Sequence, residues 1–237
     1  MRHTHVLRHL LWVTLAIAVA ACGSSKAPAA DTASAGAPPA TAAAQPVDRP
    51  APTVKSRVVF LGDSLTAGLG LEQTEAYPTL IQQKIDAAGL PYEVVNAGVS
   101  GDTSAGGLSR LDWALEGDVT VMVVALGGND GLRGLPAAEL KKNLATIIER
   151  AQAKQITVIL AGMEAPPNFG RDYITAFRDI YPALAEQYKL PLIPFLLQNV
   201  AGIERLNQRD GIHPTAEGAR IVADTVWSIL RPTLKGQ

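Results

Sequence analysis

Apolar residues fall into three regimes along the chain. Leu10 to Ala21 is a run of twelve uncharged, mostly apolar residues. Between Gly23 and Lys55 the only larger aliphatics are Val47 and Val54. From Ser56 onward, short apolar runs alternate with helical periodicity. Arg57–Leu61 reads as a strand that ends in Gly62-Asp63. Tyr77–Ala88 carries Leu80, Ile81 and Ile85 on one helical face and closes at Gly89. Tyr92–Asn96 reads as a second strand and Leu108–Leu115 as a short helix. Val119–Leu126 is almost wholly apolar, the pattern of a central parallel strand buried on both faces. Pro136–Gln152 predicts a helix with Leu140, Leu144, Ile147 and Ile148 inward, and Thr157–Ala161 a fourth strand. Tyr173–Tyr188 predicts a helix that Pro182 can kink. Leu190–Phe195 predicts a short last strand, and Ala216–Leu230 a closing helix facing inward through Ile221, Val222, Val226, Ile229 and Leu230. Such alternation implies one α/β domain over residues 56–237, with a parallel sheet of about five strands between two helical layers.

In such sheets ligands bind beyond the carboxyl ends of the strands, so the loops there are the places to search for chemistry. Four stand out. Gly62-Asp63-Ser64-Leu65 puts a serine at a strand-to-helix turn, although such a serine more often caps a helix. Residue 66 is Thr rather than Gly, which argues against the G-x-S-x-G elbow of the larger α/β hydrolases. Asn96 to Ser104 is rich in glycine, which lets backbone N–H groups approach a ligand. Gly127-Gly128-Asn129-Asp130 leaves the most buried strand and offers a side-chain amide, as a simple turn also would. Asp210-Gly-Ile-His213-Pro214 sets an acid and an imidazole three residues apart, before a helix that proline can open. Leu69–Ala76, Gly131–Leu135 and Met163–Arg171 are the expected pocket walls.

Composition narrows the functional classes. The 21 basic and 22 acidic residues argue against a nucleic-acid binder that relies on positive charge. One cysteine excludes a disulfide framework and multi-cysteine metal sites. No G-x-x-x-x-G-K-[ST] occurs, which weakens a nucleotide-binding reading.

The N-terminal segment reads as a signal. Arg2 and Arg8 precede the apolar run without any acid, and twelve residues are too few to span a bilayer. The run ends Val19-Ala20-Ala21-Cys22, which resembles the bacterial lipobox. The resemblance implies that residues 1–21 are removed and Cys22 is lipidated. Gly23 then implies the periplasmic face of the outer membrane in a diderm host. Cleavage leaves 19 bases against 22 acids, a charge of −3, and His213 as the sole histidine, so a histidine-cluster metal site is excluded. Of the 33 residues from Gly23 to Lys55, 25 are Ala, Pro, Gly, Ser or Thr. That composition predicts a disordered tether, giving Cys22 and this spacer (residues 22–55) the role of an anchor.

Taken together, the four loops resemble the four blocks of the SGNH (GDSL-type) hydrolase family across residues 56–237. The runs GDSLTAG, SGDTS, LGGNDGLRG and DGIHP resemble its bacterial acyl-CoA thioesterase I, lysophospholipase and arylesterase branch. The resemblance implies a flavodoxin-like three-layer α/β/α fold. It assigns Ser64 as nucleophile, His213 as general base and Asp210 as the acid that orients it. The oxyanion donors would be the Ser64 N–H, the Gly101 N–H and the Asn129 side chain, with Gly98 competing for the place of Gly101. The chemistry is coherent: a serine hydroxyl needs a base, and His213 is the only imidazole for it. Glycine backbone and asparagine amide can hold a tetrahedral oxyanion without metal or cofactor. The expected protein is a lipid-anchored, monomeric serine esterase with a small acyl ester or thioester substrate, no nucleic-acid partner and no cofactor. A carbohydrate O-acetylesterase is the first alternative, though aromatic residues are only 5%. A non-catalytic ligand-binding lipoprotein is the second.

Overall fold

A computed structural model describes residues 55–235. The signal segment, Cys22 and nearly all of the spacer lie outside the described residues. Five parallel strands form the sheet: β1 (Ser56–Gly62), β2 (Tyr92–Gly98), β3 (Val119–Ala125), β4 (Thr157–Ala161) and β5 (Leu192–Ile193). Their spatial order is β2-β1-β3-β4-β5. The chain steps one way from β1 to β2 and the other way from β3 to β5. The carboxyl ends of β1 and β3 therefore flank the point where the order reverses, the place where open α/β sheets bind ligands.

Helices α1 (Ser64–Ala67), α2 (Tyr77–Ala87), α3 (Ser104–Ser109), α4 (Leu111–Ala114), α5 (Gly128–Leu132), α6 (Ala137–Ala153), α7 (Arg171–Arg178), α8 (Ile180–Tyr188) and α9 (Ala216–Leu230) connect the strands. Helices α2 and α9 pack against one another on one side; α6 packs with α3 and α8 on the other. The apolar stripe of α6 lies inward as its spacing requires, with Leu140, Leu144, Ile147 and Ile148 fully buried. Strand β3 runs buried from Val121 to Ala125. In α9, Val222, Val226 and Leu230 are buried, while Ile221 and Ile229 are half-buried at its flanks.

The structure departs from the sequence pattern where local chemistry interrupts it. The helix expected over 108–115 breaks at Arg110 into α3 and α4. Gly106 and Gly107 weaken it, and the Ser109 hydroxyl donates back to the Gly106 carbonyl at 2.7 Å. The helix expected over 173–188 begins at Arg171 and divides at Asp179. Pro182 has no N–H to offer the Arg178 carbonyl four residues earlier. The last strand shrinks to two residues because Pro191 and Pro194 flank it. Residues 128–132, expected as loop, form α5.

Candidate active site

Ser64 owes its position to the turn before it. Asp63 follows β1 and caps α1, its Oδ1 accepting the Leu65 N–H at 3.0 Å. Ser64 is thus the first helical residue rather than the cap, with its hydroxyl at the carboxyl edge of the sheet. Below it, Thr66 Oγ1 lies 2.8 Å from the buried Tyr77 hydroxyl, and the Tyr77 ring meets Phe60 edge-on. Asn96 on β2 donates to the Thr66 carbonyl at 2.9 Å. The short helix is therefore pinned from the core and from the adjacent strand.

His213 arrives from the far end of the chain on a tight hairpin. Gln208 N–H donates to the His213 carbonyl at 2.7 Å, and Thr215 N–H to the Leu206 carbonyl at 2.9 Å. The Gln208 side chain donates to the Pro214 and Leu69 carbonyls at 2.9 and 2.8 Å, tying this hairpin to the end of α1. His213 Nε2 stands 2.8 Å from Ser64 Oγ, and Nδ1 stands 2.7 Å from Asp210 Oδ2. Asp210 Oδ1 accepts the Ile212 and His213 N–H groups at 2.9 and 3.0 Å. These backbone donors, Ile212 first, and then the imidazole hold the Asp210 carboxyl down to about 2. An ionised carboxylate only accepts, so Nδ1 carries the ring proton. The Nε2 lone pair then faces the serine hydroxyl, which donates to it.

The other loops converge on the same edge. The peptide N–H groups of Ser64 and Gly101 have no acceptor among the described residues. The Gly98 N–H, by contrast, is committed to Asn96 Oδ1 at 3.0 Å. Of the two glycines that compete in the sequence, Gly101 is the one with a free donor. Its φ of +87° is a left-handed conformation that glycine adopts without strain. Gly127 turns the chain out of β3 at φ +114°, where a Cβ would lie 2.1 Å from the Tyr181 hydroxyl. Asn129 follows in the first turn of α5. Its amide donates to the Asp102 carbonyl at 3.0 Å, and at the longer distance of 3.4 Å approaches Asp63 Oδ2.

Several residues that brace this edge escape sequence reading. Asp63 is buried, and desolvation raises its carboxyl to about 6 against the opposing pull of the Leu65 N–H and of His213. Arg110 Nε donates to Asp102 Oδ2 at 2.6 Å and its Nη2 to the Gly62 carbonyl at 2.9 Å. Arg133 Nη2 donates to the Gly101 carbonyl at 2.8 Å. Buried Asp130 takes the Ser104 N–H at 2.8 Å and the Ser104 hydroxyl at 2.5 Å, joining α5 to the start of α3. The two aspartates inside GDS and SGDTS were visible as acids beside glycines. Nothing local marked the arginines.

A mainly apolar cavity of about 330 Å³ opens at Leu65 and Gly128, the chain neighbours of Ser64 and Asn129. Its walls include Leu65, Leu132, Met163, Phe195, Leu197 and Ile212. The segment Leu69–Ala76, expected as wall, contributes nothing to it. A larger hollow of about 530 Å³ lies along Gly202, Glu204, Asn207–Arg209 and Gly211. Neither cavity is lined by Ser64, Asn129 or His213 themselves, but the smaller one is lined by their chain neighbours Leu65, Gly128 and Ile212 and is the one that matches the chemistry.

Residues 60–221 match the model of the GDSL-like lipase/acylhydrolase family. The chain is 44% identical over 178 residues to esterase TesA of Pseudomonas aeruginosa, covering 75% of this chain and 89% of that protein. It is 38% identical over 176 residues to thioesterase 1/protease 1/lysophospholipase L1 of Escherichia coli K12, covering 74% and 83% respectively. A solved crystal structure of TesA superposes with a TM-score of 0.73 at 43% identity, covering 76% of this chain and all of that one.

Proposed function

The chain belongs to the GDSL-like lipase/acylhydrolase family and is a serine hydrolase of ester bonds; on that premise we propose that Ser64, His213 and Asp210 are its catalytic triad. The Ser64 and Gly101 N–H groups and the Asn129 amide form the oxyanion hole. One observation carries this reading: the 2.7 and 2.8 Å contacts that align Asp210, His213 and Ser64. His213 takes the proton as Ser64 Oγ attacks the carbonyl carbon, and the carbonyl π electrons move onto oxygen. The resulting imidazolium is stabilised by ionised Asp210. Collapse of the tetrahedral species expels the alcohol or thiol, which takes the proton from His213 and leaves an acyl-serine. Water, deprotonated by His213, then repeats the sequence and releases the acid.

The mainly apolar cavity favours a hydrocarbon acyl group over an acetylated sugar, for whose hydroxyls Glu164 is the one charged side chain on its walls. At 0.8 kcal/mol or so per buried methylene, kcat/KM is expected to climb with acyl length until about 330 Å³ is filled. A graded series of nitrophenyl esters and acyl-CoAs tests this. Fluorophosphonate labelling followed by peptide mass spectrometry should find the adduct on Ser64; an adduct elsewhere overturns the triad.

The enzyme is placed outside the cytoplasm and held to a membrane through Cys22. The charged start, the twelve-residue apolar run and the Ala-Ala-Cys end support this placement.

A further inference from the structure

We propose that the mouth of the active site is also a membrane-docking face, and that it seats on the phospholipid surface to which the N-terminus is anchored. Large apolar residues that stay exposed are unevenly distributed. Leu69, Val99, Leu132, Phe169, Ile203 and Ile212 are 37–47% exposed, and each follows the carboxyl end of a strand, with all five strands represented. In an all-parallel sheet those ends share one pole. Among the described residues, only Trp113 is comparably large, apolar and exposed elsewhere. Neighbouring contacts bring four of the six together around the mouth. Leu132 and Ile212 line the cavity together. The Phe169 ring packs over Gly134, two residues after Leu132. Leu69 is tied through its carbonyl to Gln208 on the His213 hairpin.

Leu69, Val99, Phe169 and Ile203 line no part of the cavity, so binding an acyl chain there does not account for them. A ring of apolar side chains outside a site is the feature by which a protein lies in a membrane interface. The exposed charges at this pole are mixed, Arg133, Arg171, Arg205 and Arg209 against Glu72, Glu164, Asp172, Glu204 and Asp210. Apolar insertion rather than net charge is then what drives docking, and a zwitterionic lipid suffices.

The length of the preceding chain supports that occupant. Ser56 begins β1 at the pole opposite the mouth. A short link to a lipid would hold the mouth away from the bilayer. Thirty-three residues separate Cys22 from Ser56, a maximum span of about 110 Å. A domain of this size is about 40 Å across, so the path half-way around it, about 60 Å, is well within reach. The spacer is long enough for the domain to turn its mouth to the surface that anchors it.

This inference rests on the anchored-esterase reading, and its test separates the two. The sheet and core lie within residues 56–234, and the TesA chain that matches them in full folds with nothing more. Residues 50–237, which lack Cys22, are therefore sedimented with phosphatidylcholine vesicles in 0.15 M salt. The expected result is measurable partitioning that falls at least tenfold in the triple variant Leu69→Ser, Phe169→Ser, Ile203→Ser and is unchanged in Trp113→Ser. Both variants should keep the rate on a short, soluble nitrophenyl ester, which also reports folding. If the triple variant loses that rate, the three single variants carry the comparison. No partitioning of the unmutated domain, equal partitioning of the variants, or a dimer that the triple variant dissociates overturns the proposal. Partitioning with the expected pattern but no ester hydrolysis overturns the esterase reading and leaves the docking face standing.

Discussion

Arg110 reaches across 48 residues of sequence to donate to the carbonyl of Gly62, two residues before Ser64. Its Nε holds Asp102, whose own carbonyl accepts the Asn129 amide. One guanidinium thus links the nucleophile turn to both loops proposed to bind the oxyanion. A lysine keeps the charge but lacks the planar fork that serves two acceptors at once. Arg110→Lys is expected to lower kcat about tenfold, roughly 1.4 kcal/mol, with KM and melting temperature close to the parent. An unchanged kcat would mean that this brace serves stability alone.

In the proposed triad Asp210 acts through the tautomer it imposes. In Asp210→Asn the amide can donate to Nδ1, which moves the ring proton to Nε2 and turns that nitrogen from acceptor into donor toward Ser64. The expected loss in kcat is about 10³–10⁴, by analogy with the triad aspartate of the serine proteases. Fluorophosphonate labelling of Ser64 should slow in parallel. Labelling at the parental rate would remove Asp210 from the triad.

Asp63 gives stability an unusual pH dependence. Its carboxyl titrates at 3.8 in an ordinary setting and at about 6 when buried here, chiefly through desolvation. A raised folded value makes protonation stabilising. That contribution is complete below about pH 4 and is lost as pH rises through about 6, on the order of 3 kcal/mol in all. Asp210 works in the opposite sense but in another window, its contribution being lost only as pH falls from about 4 toward 2. Melting temperature is therefore expected to decline between pH 4.5 and 8, and Asp63→Asn to flatten that decline. A parental profile in Asp63→Asn would show that another group titrates there.

The sheet and its helices were legible because burial enforces periodicity. Leu140, Leu144, Ile147 and Ile148 had to face one side of a helix, and Val119–Ala125 had to be a strand covered on both faces. Ser64, Asn129, Asp210 and His213 were legible as types in loops, and family resemblance joined them. What stayed hidden depends on contacts between distant residues. Arg110 reads as one more base on a helix until Gly62 and Asp102 are beside it. Asp63 reads as a turn residue until Gly128 and Asn129 close over its carboxylate. The SGDTS resemblance alone favours Gly101 over Gly98, and the Asn96 side chain, which occupies the Gly98 N–H, supplies the physical distinction between them.

On the proposed anchor, Cys22→Ser is expected to shift the protein from the membrane to the soluble or unprocessed fraction, because the lipobox-like run would lose the cysteine that is acylated. Mass spectrometry of the mature N-terminus checks the same point directly. An intact Met1 on active, mature protein would exclude the anchor.

Asn129 gives the most discriminating test, because its amide has two hydrogens and three potential acceptors. At rest one hydrogen goes to the Asp102 carbonyl at 3.0 Å, while the other makes only a long approach to Asp63 at 3.4 Å. That second hydrogen is the one a developing oxyanion can claim, since leaving a long contact costs little and the new acceptor carries charge. Asn129→Ala is then expected to lower kcat by about 10²–10³, about 3–4 kcal/mol, with KM nearly unchanged. It also deprives the Asp63 carboxylate of a partner that favours its ionised form. The variant should accordingly lose more melting temperature at pH 8 than at pH 5, where Asp63 is largely protonated. A residue that served only to turn the chain out of β3 would act otherwise. Its loss would lower the melting temperature equally at both pH values and leave kcat of the folded fraction intact. Measuring kcat and melting temperature at these two pH values separates the roles, and a fully active Asn129→Ala would remove it from the oxyanion hole.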